Sequence, residues 1–533
     1  MTYLTRSILI VLALYGLVFA IGAAYIAHSG SPLWVALAFP IVFVGIQYLL
    51  GPHLIEWIMD ICWYDDGGGL PAVNREFVER LCASRGLKVP RIGIIQSGTP
   101  NAFSFGRLRT DARVVMTTGL LEILTPEESN AVLAHEIGHI EHWDFAVMTM
   151  AALAPLLLYQ FYVYTEKISN VRVIAYTAYL CYLLSQFIVL LLNRTREYFA
   201  DHYAAEVTRT PGDLCSALVK IAYGMVRADG EYRKAMAEGD KEEKTFWRRE
   251  RRLGGALGLM GVSSLRSGTA LALANANATD AARVMRWDLM NPWARLYELN
   301  STHPLTALRV RELNDQAREM HQAARYPLPT EERRAARGFY LEVLVWAAPA
   351  LALAALWFIF LAPDWLSYFG IVLPPNAKPM LLVFAGVAWM LRVAFRYRGE
   401  FQDASIGALL EDLEVSQMRP RAVRLKGEIV GRGVPGAFWS ADLVLRDASG
   451  IVFLLYRQSI PFARFLFAIS AAEEYIGKEV VVEGWFRRGL APYVEMSKLT
   501  GQDNTSHRAI SRWVQLVLAA IAVAIGWLWM HPS

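Results

Sequence analysis

The sequence predicts a mainly α-helical membrane protein with about seven transmembrane helices and a C-terminal OB-like β-barrel module. Three observations lead to this fold class: an excess of apolar residues, several long apolar runs, and a change to alternating β-type patterns near the C-terminus. The chain of 533 residues is 55% hydrophobic and 19% charged. Soluble globular proteins are about 45–50% apolar and 25% charged, so the composition indicates a membrane protein.

Seven apolar stretches are long enough to cross a bilayer, which takes about 20 residues of helix. The first could be read as a signal peptide, because Arg6 precedes it and small residues follow. A second apolar run begins almost at once, which favours a helical hairpin. The stretches cover residues 7–28, 32–50, 145–164, 173–192, 340–361, 379–395 and 512–530.

These spans divide the chain into five parts. The predicted parts are a transmembrane hairpin (1–50), a large domain with the spans near 145–164 and 173–192 (51–338), a second hairpin (339–395), the β module (396–511) and a last transmembrane helix (512–533).

The orientation follows from lysine and arginine, which concentrate on the cytoplasmic side of membrane proteins. Segments 51–144, 193–339 and 396–511 are rich in both residues, whereas the short turns between spans carry few. We therefore expect a multi-pass protein of the cell (inner) membrane whose large domain and β module face the cytoplasm. The apolar run 253–263 is too short to cross and rich in glycine, so we expect it to be a lid-like loop or a buried segment.

A well-defined helix start precedes the most informative motif. Thr125 suits the N-cap position, Pro126 suits the first helical position, and Glu128 completes a capping box. The predicted helix continues through residues 135–139, which read His-Glu-Ile-Gly-His.

His135 and His139 lie one helical turn apart, so both imidazoles can reach one Zn²⁺ ion. Glu136 lies beside them and can take a proton from the attacking water. Composition alone would produce this pattern about 0.02 times in such a chain. The motif therefore predicts a metalloprotease with one zinc ion per chain.

The third zinc ligand must come from elsewhere in the chain. A metzincin would need Gly and His where this sequence has His142 and Phe145. Glu197 and Asp201 instead share one face of a second predicted helix, where Glu197 could bind the metal and Asp201 could orient a ligand histidine. Taken alone, the two carboxylates would be better explained as an ordinary charge cluster beside the membrane.

The spans between the two motifs favour Glu197 as the ligand. His139 precedes its span by six residues, about 9 Å of helix, and Glu197 follows the next span by about four residues, about 6 Å. An antiparallel pair of spans would bring both residues to nearly the same height above the bilayer.

With these motifs the sequence resembles the HtpX-like membrane metallopeptidases, the gluzincin group that includes CAAX prenyl proteases. The resemblance implies a gluzincin-like helical protease domain with a small β element, an active site that faces the cytoplasm, and a role in membrane-protein quality control. It covers roughly residues 70–315 and rests on Pro100-Asn101-Ala102-Phe103, the histidine motif with Asp144 after it, Arg194-x-x-Glu197-x-x-x-Asp201, and Thr302-His303-Pro304 followed by Arg309.

The resemblance gives meaning to three more residues. Asn101 begins an expected edge strand, where an extended peptide could add as a further strand and the amide could hold its backbone; the alternative is a turn residue. His303 could donate a hydrogen bond to the oxyanion of the reaction; the alternative is a helix-start residue. Arg309, six residues further on, is expected to form a structural ion pair near the site.

The C-terminal module has the pattern of a small β-barrel. Three strands, a helix-like stretch at 461–475 and two further strands are the order of an OB fold. Basic and aromatic residues alternate here, but the position between two spans favours contact with lipid headgroups. We therefore expect a docking or regulatory role and no nucleic-acid partner. The expected strands are 423–430, 441–446, 451–456, 479–485 and 493–496.

Taken together, the sequence predicts a zinc-dependent endopeptidase that cleaves protein or peptide substrates at the bilayer surface. Two alternatives stay open: a CAAX-type processing protease that cuts only modified C-termini, and an inactive membrane scaffold whose β module binds a partner. The oligomeric state is left open by the sequence.

Overall fold

The structure of the chain is a computed structural model. It describes residues 34–59, 61–63, 70–168, 171–222, 278–328, 338–361, 370–432, 441–458, 471–489, 492–503 and 505–531, with isolated positions at 13, 16–18, 20–21, 464 and 466–468. The first predicted span (7–28) and the run 253–263 therefore lie mainly or wholly outside the described residues, as do six of the fifteen residues of the helix-like stretch expected at 461–475.

The described helices and strands follow one another in this order along the chain. The helices are α1 (Trp34–Met59), α2 (Ala72–Arg85), α3 (Thr118–Ile123), α4 (Pro126–Glu141), α5 (Asp144–Thr165), α6 (Arg172–Thr208), α7 (Ala278–Met290), α8 (Pro292–Glu298), α9 (Thr306–Glu319), α10 (Phe339–Leu361), α11 (Ala377–Arg396), α12 (Ile406–Glu411) and α13 (Ser511–Met530). The strands are β1 (Cys62–Trp63), β2 (Arg91–Ile95), β3 (Ala102–Phe105), β4 (Arg113–Thr117), β5 (Gln402–Asp403), β6 (Arg421–Arg432), β7 (Leu443–Asp447), β8 (Gly450–Leu455), β9 (Glu479–Arg488), β10 (Pro492–Gly501) and β11 (Ser506–Arg508).

Five of the described helices are long and apolar enough to cross a membrane. They match the last five of the seven predicted spans. Residues 34–50 of the second predicted span (32–50) lie in the 26-residue helix α1, which is not among the five. The five are Asp144–Thr165, Arg172–Thr208, Phe339–Phe360, Ala377–Arg396 and Ser511–Met530.

The chain divides into two compact units. The first contains the described residues up to 222 and Glu298–Tyr326, and the second contains residues 278–297 and those from 327 onwards. The predicted protease segment 51–338 is thus shared between the two units, because α7 and most of α8 belong to the second.

The first unit contains a four-stranded sheet in the order β1-β2-β4-β3. Strands β2 and β4 are parallel, and β3 runs antiparallel to β4 at the end of the sheet. Its apolar face packs Phe103 and Val115 against Met59 of α1. The edge strand expected after residues 92–95 is therefore confirmed as β3.

The second unit contains a five-stranded β-barrel. Strand β6 pairs antiparallel with β7, and β7 with β8; β8 pairs parallel with β10, and β10 returns through β9 to β6. Alternate side chains, including Leu425, Leu445 and Val482, fill the interior. All five strands expected from the alternating pattern are present.

Helices α11 and α13 enter and leave the barrel and pack against each other. A Cβ atom at Gly386 would lie 2.8 Å from the Ala519 carbonyl oxygen, and one at Gly526 would lie 2.9 Å from the Pro379 oxygen. Small residues allow such close approach of two apolar helices in a bilayer. The two glycines thus allow close packing of the two helices that flank the barrel in the chain.

Candidate metal centre

Helix α4 begins with the capping box that the sequence predicts. The Thr125 hydroxyl accepts from the Glu128 amide at 3.3 Å, and the Glu128 carboxylate accepts from the Thr125 amide at 2.9 Å. Such a cap stabilises a helix by about 1 kcal/mol. Burial raises the pKa of Glu128, but hydrogen bonds from Lys220 and Ser216 bring it below its usual value. The start of the helix is thereby fixed in place.

Helix α4 packs closely against α6, which carries the second motif. A Cβ atom at Gly138 would lie 3.0 Å from the Tyr203 ring and 3.3 Å from the Ala200 Cα. Glycine at this position therefore lets the two helices approach, which brings the histidines of α4 towards the carboxylates of α6.

Three side chains from these helices converge on one point. The Nε2 atoms of His135 and His139 lie 3.2 Å apart, and they lie 3.8 and 3.7 Å from the two carboxylate oxygens of Glu197. All three residues are buried, and their nearest ligand atoms lie within 4.8 Å of one another. The structure thus brings together the three residues that the sequence nominated as metal ligands.

A carboxylate stands behind each imidazole. Asp201 Oδ1 lies 3.0 Å from His135 Nδ1, and Asp144 Oδ2 lies 2.6 Å from His139 Nδ1. Burial alone would lower the pKa of His139, but its hydrogen bond to Asp144 raises it above the usual value. Both carboxylates favour the tautomer with its proton on Nδ1, which leaves the Nε2 lone pairs free to bind a cation.

These residues fit a zinc ion. Two nitrogens bound to one tetrahedral zinc at 2.0–2.1 Å are about 3.3 Å apart, close to the 3.2 Å between the two Nε2 atoms. Two imidazoles and one carboxylate, with second carboxylates behind the rings, are the donor set of catalytic zinc sites that keep one position open for water or substrate.

Arg309 balances the charge of the buried carboxylates. Its Nε and Nη2 atoms donate to the two oxygens of Asp201 at 2.7 and 2.6 Å, and its Nη1 atom lies 3.5 Å from Glu197. Burial works against the charged form, but the pairing with Asp201 raises the pKa of Arg309 overall. The expected ion pair beside the site is therefore present, and it is a bidentate one.

His303 lies at the same centre, with its Nδ1 atom 3.2 Å from Glu197 Oε2. The loop before it is held to α6 by Arg194, whose guanidinium donates to the carbonyl oxygens of Leu299 and Ser301 at 3.2 and 3.0 Å. Asn193 adds a hydrogen bond to the Thr302 carbonyl oxygen. A segment remote in sequence is thus anchored beside the metal ligands.

Asn101 and Glu136 are also buried. Glu136 is 2% exposed on α4, between the two histidines, and Asn101 is completely buried at the start of β3. The backbone N–H of Asn101 donates to the Thr117 hydroxyl at 2.8 Å, and the backbone carbonyl oxygen of Asn101 accepts from the backbone N–H of Thr117 at 3.0 Å. Strand β3 itself packs against α4.

Two residues with structural roles were not assigned from the sequence. Asp144 is the partner of His139, and it is held in turn by Arg196, whose Nε lies 2.9 Å from Asp144 Oδ2. The chain reaches Asp144 through a left-handed residue, Trp143, with φ 62°. Asp144 lies five residues after His139, in the next helix, so helical spacing alone did not place it beside the imidazole. Arg194, the anchor of the His303 loop, lies three residues before Glu197 in the motif that carries the resemblance, but the sequence did not show what it contacts.

Comparisons with known proteins agree with this geometry. The profile of Peptidase family M48 matches residues 73–317. A protein named Protease HtpX homolog from Methanothermobacter thermautotrophicus is 37% identical over 221 residues, which are 40% of this chain and 84% of the relative. A Protease HtpX homolog from Moorella thermoacetica is 32% identical over 244 residues, 42% of this chain and 77% of the relative.

Among solved structures, the crystal structure of S. mikatae Ste24p has a TM-score of 0.32 and 18% sequence identity to this chain. The match covers 57% of this chain and 62% of that one, and a likeness this weak supports no argument. The profile match spans His135, His139 and Glu197, and together with the sequence relatives it confirms the resemblance to the HtpX-like peptidases: the chain belongs to peptidase family M48.

Proposed function

We propose that the chain is a zinc-dependent endopeptidase that cleaves membrane-associated protein substrates. One observation carries the proposal: His135, His139 and Glu197 meet in a buried cluster, and each imidazole is backed by its own carboxylate. Structural zinc sites usually close the coordination sphere with a fourth protein ligand. A three-ligand cluster with a neighbouring acid is typical of hydrolytic sites.

The roles of the surrounding residues follow from their chemistry. When bound by the three ligands, zinc would supply positive charge that polarises a substrate carbonyl and makes water more acidic. Glu136 accepts the proton of the attacking water and then delivers it to the leaving amine. His303 donates a hydrogen bond to the oxyanion of the tetrahedral intermediate. Asp201 and Asp144 hold the imidazoles, and Arg309 holds Asp201.

An extended peptide is the substrate form that the sheet favours. Among the described residues β3 pairs with β4 alone, so its second edge offers main-chain groups to an added strand. Because β3 packs against α4, a strand bound there would run beside the metal ligands. Asn101, at the start of β3, is proposed to hold the substrate backbone; as it is buried, this requires a local rearrangement on binding.

We propose further that the site faces the cytoplasm and acts in membrane-protein quality control. The excess of lysine and arginine in 51–144, 193–339 and 396–511 supports the orientation. The relatives named Protease HtpX homolog support the family role. Bilayer lipid and protein substrates are then the expected partners.

The barrel is proposed to be an OB fold with a docking or regulatory role. Its closed order β6-β7-β8-β10-β9, with β8 and β10 parallel, supports this class. The barrel lies in the chain between α11 and α13, which are both candidate membrane spans. A role at the membrane surface therefore suits it better than binding of nucleic acid.

The assigned base is tested by Glu136→Gln in the full chain, reconstituted with a membrane-protein substrate. The variant should retain zinc and thermal stability, while cleavage falls by about 10²–10⁴-fold. Glu127→Gln is the matched control, because Glu127 is exposed on the first turn of the same helix, and it should cleave at the wild-type rate.

Cleavage by Glu136→Gln at more than about a tenth of the wild-type rate would exclude this base. An unmodified substrate also separates the alternatives: a protease of the CAAX type would leave it intact and cut only modified C-termini. A zinc-loaded wild type that cuts neither would be the inactive scaffold.

The side of the membrane that the site faces can be determined by labelling a natural cysteine. Cys62 is exposed in the first unit, whereas Cys82 and Cys215 are buried. A membrane-impermeant maleimide should label Cys62 in inverted vesicles and spare it in intact cells, with Cys62→Ser as the control. Labelling in intact cells would place the site on the opposite face.

A further inference from the structure

A small pocket lies where the barrel meets the ends of two candidate spans. Its cavity volume is about 70 Å³, which exceeds the 10–15 Å³ that one water needs. Tyr397 follows the end of α11, and Arg512 and Trp513 lie in the first turn of α13. The barrel contributes Trp485, Glu495 and the neighbouring Arg457.

Positive charge exceeds negative charge around this pocket. Among the described lining residues Glu495 is the one carboxylate, and Arg457 and Arg512 are the cations. Glu495 is already paired: Arg487 lies 2.9 Å and Arg396 3.1 Å from its Oε2 atom. Burial raises the pKa of Glu495, but these arginines bring it below its usual value. Arg457 also acts electrostatically on Glu495, and together with Arg512 it gives the lining of the pocket a net positive charge.

The lining also offers nitrogen donors that lack acceptors. Trp485 is 7% exposed, and its indole Nε1 is buried without a hydrogen-bond partner in the described part of the chain. The Nε atom of Arg512 is likewise buried and has no hydrogen-bond partner in the described part of the chain. Buried N–H groups that donate to nothing destabilise a fold, so native proteins pair nearly all of them. An oxygen-rich anion in the pocket could accept from both.

The position of the pocket indicates where such an anion comes from. Trp513 is 63% exposed at the start of the apolar helix α13. Tryptophan favours the level of the lipid headgroups, and arginine beside a span pairs with anionic lipids. The guanidinium of Arg512 lies 5.3 Å from the Trp513 ring, so the cation and the interfacial aromatic residue are at the same level.

We propose that this pocket binds the phosphate group of an anionic membrane phospholipid. Arg457 and Arg512 supply the charge, and the Trp485 indole supplies a neutral donor. The bound lipid would join the barrel to α11 and α13 at the membrane surface. This site is separate from the metal centre in sequence, and its test does not depend on peptidase activity.

The test measures binding of phosphatidylglycerol with a fluorescent tail to the purified full chain in detergent micelles. Diacylglycerol with the same tail lacks the phosphate and is the comparison. The wild type should bind phosphatidylglycerol at least about 10-fold more tightly. The double variant Arg457→Gln with Arg512→Gln should lose this preference. Arg446→Gln should keep it, because Arg446 is an exposed barrel arginine that pairs with Glu428.

Two results would overturn the proposal. One is an unchanged preference for phosphatidylglycerol in the double variant. The other is complete displacement of the labelled lipid by millimolar inorganic phosphate, which would assign the pocket to a free anion. If the double variant aggregates, Trp485→Phe is measured instead, because it removes the indole donor and keeps an aromatic ring. A loss of affinity of about threefold or more supports the site, and unchanged affinity rejects it.

Discussion

Asp144 offers the sharpest test of how the metal centre is built. Its side chain is completely buried, and its Oδ2 atom lies 2.6 Å from His139 Nδ1. Asp144→Asn keeps the size of the side chain and removes its charge. The imidazole then loses the carboxylate that fixes its tautomer and strengthens its Nε2 atom as a donor to zinc.

The magnitude follows from that contact. Loss of a partner behind a ligand histidine typically weakens metal binding by about 10–100-fold, or about 1.4–2.7 kcal/mol. The contact of Asp144 is short and shielded from water, and the amide would also face the guanidinium of Arg196, which lies 2.9 Å from Oδ2. We therefore expect a loss in the upper part of that range.

The assay is competition for zinc between the purified chain and a chromophoric chelator at fixed pH. Glu128→Gln is the control, because Glu128 is equally buried on the neighbouring helix α4 but belongs to its cap. It should lower the melting temperature and leave zinc affinity within about threefold of the wild type. Zinc affinity of Asp144→Asn within the same threefold would refute the assigned role, as would an equal loss in the control.

Four further variants test the supporting structure. Arg309→Met leaves two buried carboxylates without their cation, so the free energy of unfolding should fall by about 3–5 kcal/mol; a melting temperature equal to that of the wild type would contradict this. Arg194→Gln frees the loop before His303, so peptide kcat should fall while zinc content stays constant; an unchanged kcat would remove this anchor from the account. Gly138→Val should cost about 1–3 kcal/mol and also weaken zinc binding, since the added carbons separate α4 from α6; unaltered thermal unfolding would mean that the helices can adjust. Gly526→Leu should lower the melting temperature without changing zinc affinity, and a loss of zinc would show that the effect reaches beyond α11 and α13.

Local chemistry was enough to predict the metal-binding helix. The cap at Thr125 and the spacing of His135 and His139 depend on residues within one helix, and both are present in the structure. Glu197 was found by a longer argument, from the number of residues that separate each motif from its neighbouring span. Its Glu197 half agrees with the structure, because α6 continues without a break from its apolar part through Glu197 to Thr208. Its His139 half assumed continuous helix up to the span, whereas α4 ends at Glu141 and a new helix begins at Asp144.

Other features depend on contacts that sequence spacing does not encode. The turn at Trp143 decides that Asp144 points back to His139, and a left-handed tryptophan is not expected from composition. Arg194 reaches a loop more than a hundred residues away. The barrel strands could be predicted from alternation, whereas the parallel pairing of β8 with β10 that closes the barrel could not.

The division into two units is a further feature that sequence spacing does not encode. Helix α7 lies in the segment expected to belong to the protease, yet Trp287 of α7 donates to the Val415 carbonyl oxygen at 2.8 Å and Asn291 donates to that of Leu413 at 2.9 Å. These hydrogen bonds attach the segment to the second unit. The sequence of such a segment does not specify which core its apolar face covers.

The central claim is that His135, His139 and Glu197 together hold one catalytic zinc ion. The most direct measurement is elemental analysis of the purified full chain and of Glu197→Ala, each dialysed against the same buffered free zinc concentration. The account predicts one zinc per chain in the wild type and far less in the variant. Equal zinc in both proteins, or none in the wild type, would contradict it.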